Sequence, residues 1–177
     1  MINYIVIMIF YLIYYLFLTV SLISLPYLVS NYILAGDPYL LVNTGWYMYF
    51  WLMGVIFIVT YAFSTTNYLY YCFFSKIFSS TPSTTTQGVQ TSGIFDWLRG
   101  FHGATVAGVY SSFYMTIFAF LGYLVGITVM ETVPQVKNLL LSVIHIPGFE
   151  FFLKGVPLAL GGLIGNIFGT LCISPQC

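Results

Sequence analysis

From Gly103 to Met130 the chain reads GATVAGVYSSFYMTIFAFLGYLVGITVM, without one charged side chain. About 20 predominantly apolar residues in helical form cross the hydrocarbon core of a bilayer, and this stretch exceeds that length. A helix also satisfies its own backbone hydrogen bonds where no water is present. Two rows of small residues, spaced four apart, run through the first half: Gly103, Ala107, Ser111 and Ala104, Gly108, Ser112. Small side chains at that spacing let helix backbones approach closely, which is the main packing device in lipid. The stretch therefore reads as a membrane-spanning helix shaped to meet a neighbour.

On the C-terminal side, Val156 to Ile173 repeats the device with Gly161, Gly165 and Gly169. Glycine costs about 1 kcal/mol of helix propensity relative to alanine, so three on one face predict a close partner. That partner is the third span or a second copy of the chain. On the N-terminal side lie two further apolar blocks. The first, residues 4–34, is far longer than the 7–15 residues of a secretion-signal core, and the first basic residue is Lys76. It is expected to be a retained span. Pro26 predicts that its helix ends near Leu25, with a kink or an interfacial extension beyond. Gly36-Asp37-Pro38 supplies turn chemistry. The second block, residues 46–74, opens with Trp46, Tyr47, Tyr49 and Trp51, the amphipathic aromatics that concentrate at the membrane–water interface.

Residues 79–93, rich in Ser, Thr and Gly, carry too little apolar surface to pack and read as a polar loop outside the bilayer. Residues 94–101 set Asp96 and Arg99 three apart among apolar and aromatic side chains, a pattern that suits a short helix along the membrane surface. Residues 131–155 stay open between three forms. They contain an apolar run too short to span, a break at Pro147-Gly148, and Glu150. A re-entrant half-helix, a helix flat on the surface, and a fifth span all fit. The expected fold is thus an all-α, polytopic helical membrane bundle of four spans, or five, with a broken segment near Pro147-Gly148.

Composition agrees. Of 177 residues, 60% are hydrophobic and 5% charged, against about 25% charged in a soluble domain. Eight charged side chains cannot cover a soluble surface, so the lipid bilayer is the expected solvent. Net charge is zero, with no basic run, which gives nucleic acid nothing to bind. Lys76 and Arg99 flank the polar loop, and the positive-inside rule then places that loop and both termini in the cytoplasm. Of the three cysteines, Cys172 and Cys177 are expected as unpaired thiols, although they are close enough in sequence to close a tail disulfide in an oxidising compartment.

Ionisable groups inside a membrane are the first candidates for function. Here they are Glu131, His145, Glu150 and Lys154, with His102 at the head of the third span. His145 and Glu150 lie five apart across Pro147-Gly148 and have the chemistry to share a proton or a cation. The plainer reading pairs Glu150 with Lys154 at the favourable four-residue helical spacing. Two histidines near the ends of different spans make a poor haem site, and no cofactor or metal is expected. Gly-x-Ser-x-Gly, Cys-x-x-Cys and phosphate-loop motifs are absent from the sequence.

Residues 120–126, Phe-Leu-Gly-Tyr-Leu-Val-Gly, then 146–150, Ile-Pro-Gly-Phe-Glu, then the glycine-rich segment 160–165 occur in an order and spacing that resemble the stage II sporulation protein M family. Leu121 stands where that family usually has Asn. His145 precedes the proline rather than following it, so only the family's Glu carries over, to Glu150. The resemblance implies a membrane partner or scaffold, since bacterial members act with cell-wall hydrolases. The expected function is a non-enzymatic membrane subunit that packs through its Gly/Ala/Ser faces against other membrane subunits or a second copy. The alternative is a small transporter or channel component with Glu150 and His145 in a proton or cation path.

Overall fold

In the computed structural model, residues 2–33, 45–79, 93–133, 135, 138–139, 142 and 149–173 are described. They form helix α1 (Ile2–Leu28) with a π-helical turn at Val29–Ile33, then α2 (Gly45–Ser79), α3 (Gly93–Thr132) and α4 (Phe149–Cys172). The described residues contain no strand. All four helices are long and apolar enough to cross a membrane, over Ile5–Asn31, Tyr49–Phe73, Trp97–Thr132 and Leu153–Cys172. The protein is an all-α bundle of the multi-pass membrane type. The polar loop over 80–92, the Gly36-Asp37-Pro38 turn and the Pro147-Gly148 break lie outside the described residues.

Contacts fix the helix directions. Gly161, Gly165 and Gly169 of α4 meet Phe118, Met115 and Ser111 of α3 in descending order, so these two helices are antiparallel. On α2, Thr60 faces Thr116 and Ser64 faces Ser111, which makes α2 and α3 antiparallel as well. Gly155 lies against Ile23 and Asn166 against Tyr15, setting α1 antiparallel to α4. The bundle runs up, down, up, down. The ends at Ser79, Gly93 and Cys172 therefore share one side.

Two local expectations change. Pro26 does not end α1: the helix continues through it to Leu28 and then widens into the π turn. Proline removes one donor and crowds the preceding turn, and a wider turn is a common way to absorb such a defect without breaking the helix. Residues 94–101 do not form a separate surface helix. They are the opening turns of α3, which runs unbroken for 40 residues, because nothing there is proline and helix continuation satisfies the backbone. At about 1.5 Å per residue α3 is about 60 Å long, so it tilts or projects from a core about 30 Å thick.

Of the cysteines, one agrees with expectation and one was not foreseen. Cys172 is free and exposed, whereas Cys72 is disulfide-bonded and packs with Ala104, Ala107 and Ile173 on the side that carries the α4 C-terminus. Cys177 lies outside the described residues.

The apolar core sits between all four helices, centred on Leu18, Leu22, Leu52, Ile56, Met115 and Leu158. Outside it, the perimeter is apolar in the manner of a lipid-facing surface. On α1 the ridge Met8, Leu12, Leu16 and Val20, four residues apart, is 59 to 72% exposed.

Candidate functional site: a neutral polar layer across the bundle

α2 places Thr60, Ser64 and Asn67 on one face through spacings of four and three residues, and all three are buried. Tyr68 follows on the same face. Opposite them α3 offers Ser111, Ser112 and Thr116, α4 offers Asn166, and α1 brings Tyr14 and Tyr15. Every buried polar side chain among the described residues is a hydroxyl or a carboxamide.

These groups bond across helices at the long end of the useful range. Thr60 and Thr116 hydroxyls are 3.1 Å apart. Ser64 Oγ lies 3.1 Å from Met115 Sδ and 3.5 Å from Ser111 Oγ. The Tyr68 hydroxyl donates to the Gly169 carbonyl at 3.4 Å, and Asn166 Nδ2 donates to the Tyr15 hydroxyl at 3.3 Å. Good O–H···O bonds are 2.5–3.0 Å, so most of these orient helices more than they bind them. Thr60 and Ser112 also donate back to their own helix, at Phe57 and Val109 carbonyls, a bond that satisfies a hydroxyl where water is absent.

Among the described residues, the Tyr14 hydroxyl, Thr65 Oγ1, Asn67 Oδ1 and Asn166 Oδ1 are buried without a hydrogen-bond partner. An unsatisfied buried group costs about 1–3 kcal/mol.

The ionisable candidates lie elsewhere. Glu131 is exposed at the end of α3, His102 is exposed near its start, and Lys154 is partly buried in the second turn of α4. Glu150 sits in the first turn of α4, where a carboxylate complements the helix dipole, but its side chain is outside the described set, as is His145. No group of three metal-ligating side chains occurs among the described residues.

The small-residue rows turn inward. A Cβ at Gly165 would stand 2.6 Å from the Met115 Cα, and at Gly169 or Gly161 it would press on Ser111 or on the Phe118 carbonyl. Gly108 meets the backbone of Thr65 on α2, and Ala104 and Ala107 are buried beside it, while Gly103 is half-buried. Gly162 and Gly155 of α4 face Leu22 and Ile23 of α1, and Gly122 and Gly126 of α3 face Pro157 of α4. These glycines make α4 the helix that both α1 and α3 pack against.

Sequence reasoning passed over the polar layer. Its signal was present, since Thr60, Ser64 and Asn67 repeat at helical spacing inside an apolar span. Neutral hydroxyls were overshadowed by the rarer charges. Searches against protein-family models, curated proteins and solved structures find no match for this chain.

Proposed function

We propose that the protein is a non-catalytic, multi-pass membrane subunit that packs against partner membrane proteins. The observation that carries this reading is that every buried polar side chain among the described residues is neutral. Hydroxyls and carboxamides hold helices together and orient neutral ligands, whereas acid–base catalysis and ion relays rely on groups that gain or lose charge near neutral pH. The implied scaffold role of the stage II sporulation protein M family agrees with it.

Within the chain, the Gly, Ala and Ser rows of α3 and α4 meet neighbouring helices, which is one of the two partners expected for them. With those rows used within the chain, we place another subunit or a second copy on the outer ridge of α1, Met8, Leu12, Leu16 and Val20, one of the outward apolar faces of the bundle. Photo-crosslinking residues introduced at Leu12 and at Leu160, also outward-facing but on α4, test this in native membranes. A protein adduct of defined mass from position 12 and none from position 160 is the expected outcome. Lipid adducts alone from both positions would remove the proposal.

Orientation is proposed from the disulfide at Cys72, since disulfides persist in oxidising compartments and are rare in the cytosol, which is opposite to the placement that Lys76 and Arg99 suggest. The side carrying Cys172 is inferred to face an oxidising compartment. A membrane-impermeant maleimide should then label Cys172 on intact cells. Labelling only after the membrane is opened would restore the cytoplasmic placement.

A further inference from the structure

Helix α2 packs closely on one side only. Toward α3, Gly108 brings the two backbones together at Thr65. Toward α1, a cavity of about 370 Å³ lies between Phe10 and Tyr14 on one helix and Phe63 and Thr66 on the other. The seams of the fold are α1–α4, α3–α4, α2–α3 and α1–α2, so α2 and α4 face each other across the diagonal of the bundle.

At one end that diagonal is crossed. The Tyr68 hydroxyl donates to the Gly169 carbonyl at 3.4 Å, and one turn further along both helices Ile173 packs beside Cys72. The two contacts advance together, so α2 and α4 run parallel and Cys72 lies at the level where α4 ends. A long neutral hydrogen bond and an apolar contact make a weak tie in lipid, where burying apolar area gives little drive to associate. Cys72 is 4% exposed and disulfide-bonded. A covalent bond at this position supplies the tie that packing lacks.

The count of cysteines identifies its partner. The chain has three, Cys72, Cys172 and Cys177. Cys172 keeps a free, exposed thiol, which leaves Cys177 as the partner within the chain. Reach is sufficient. Cys177 follows Ile173 by four residues, and an extended chain of that length covers roughly 14 Å. A disulfide needs its two Cα atoms about 4.4–6.8 Å apart, and the tail starts beside Cys72.

We propose that a Cys72–Cys177 disulfide straps the C-terminal tail to α2 and makes the α2–α4 diagonal redox-sensitive. Oxidised, it fastens the cysteine end of α2 to the end of α4. Two equivalents of a small thiol open it: the S–S bond breaks, each cysteine sulfur takes a proton, and the two reductant sulfurs join in a disulfide of their own. The diagonal is then left with the Tyr68–Gly169 bond and the Ile173 contact, and α2 is held by α3 and by its loose seam with α1.

The first experiment maps the bond. Full-length protein is taken from membranes without reductant, its free thiols are blocked with N-ethylmaleimide, and non-reduced peptides are identified by mass spectrometry. The expected map contains a linked pair of peptides carrying Cys72 and Cys177, with maleimide on Cys172. Maleimide on Cys72, a Cys172–Cys177 pair, or a dimer linked through Cys72 would each overturn the proposal. Thermal melts in detergent then read what the strap does. Reduction with dithiothreitol, shown to be complete by the same mapping, should lower the melting temperature of the parent protein by about 5 °C. Cys177→Ala should lower it equally, with no further drop on reduction, whereas Cys172→Ala should behave as the parent does. A parent protein whose melting is unmoved by complete reduction would show that the bond fastens nothing, and the proposal would fail even if a variant did not fold.

Discussion

The α3–α4 and α1–α2 seams both join antiparallel neighbours, yet by opposite means. Along α3–α4, glycines from both helices bring backbone onto backbone, Gly161, Gly165 and Gly169 from one side and Gly122 from the other, while Gly126 makes room for the Pro157 ring. Phe118 and Phe168 stack across that seam at 5.2 Å. Along α1–α2 the facing positions are rings, with Phe10 on Tyr70 and Tyr14 against Phe63. Rings hold helices apart as well as together, and the 370 Å³ cavity is the space they leave. In lipid the tails are as apolar as leucine, so burying apolar area gives little drive to associate. Close packing has to supply it. The glycine seam then forms the rigid part of the bundle, and the ring seam the part able to admit something else.

The largest expected effect tests the rigid seam. At Gly165 a side chain would meet the Met115 Cα at 2.6 Å, an atom that moves only if α3 moves. Gly165→Leu should therefore destabilise the protein by roughly 3 kcal/mol or more, at the upper end for overpacking. The matched change in the loose seam, Ala62→Leu, should cost less than about 0.5 kcal/mol. Thermal melts in one detergent, read by circular dichroism, give both values. Similar losses in the two variants would mean that the seams do not differ in the way their residues indicate.

How far the sequence spoke to this contrast depends on the region. Apolar length alone located all four helices, because few arrangements satisfy a backbone in hydrocarbon. Pro26 misled because its local rule, that proline ends helices, is weaker in a bundle where a π turn takes up the defect. Asp96 and Arg99 suggested a surface helix where α3 continues. The rows containing Gly165 and Gly108 were readable as rows, and Gly122 and Gly126 as part of a family likeness. What those rows faced was not readable, since small residues look alike whether they meet α3, α1 or another chain. The polar layer was harder still. Ser64, Asn67 and Asn166 have no charge to stand out by, and their alignment across α2, α3 and α4 exists only once register is set.

A middle-sized effect measures the ring seam itself. In a soluble core, Phe→Ala costs about 3–5 kcal/mol, mostly through transfer from water and the cavity left behind. Here lipid replaces water as the alternative environment, and the seam already holds a cavity. Phe10→Ala should lose only the ring-on-ring term, about 1 kcal/mol. The same detergent melt decides: a loss near that of Gly165→Leu would make Phe10 a structural keystone and α1–α2 as rigid as α3–α4.

The smallest expected effect is the most discriminating, because it contrasts two adjacent tyrosines. Tyr15 accepts from Asn166 Nδ2 at 3.3 Å, so Tyr15→Phe leaves a buried amide without that acceptor and should cost about 1 kcal/mol. The Tyr14 hydroxyl is buried and bonded to nothing, so Tyr14→Phe removes an unsatisfied group and leaves the ring contacts with Phe10 and Phe63 in place. Its stability should be unchanged or higher by a few tenths of a kcal/mol. The pair is measured on ligand-free protein in nanodiscs, with lipid as the only available occupant. Equal losses for the two variants would mean that Tyr14 has a partner in the resting bundle. A neutral Tyr14→Phe beside a costly Tyr15→Phe would confirm that, of two adjacent hydroxyls, only the one bonded to Asn166 ties α1 to α4.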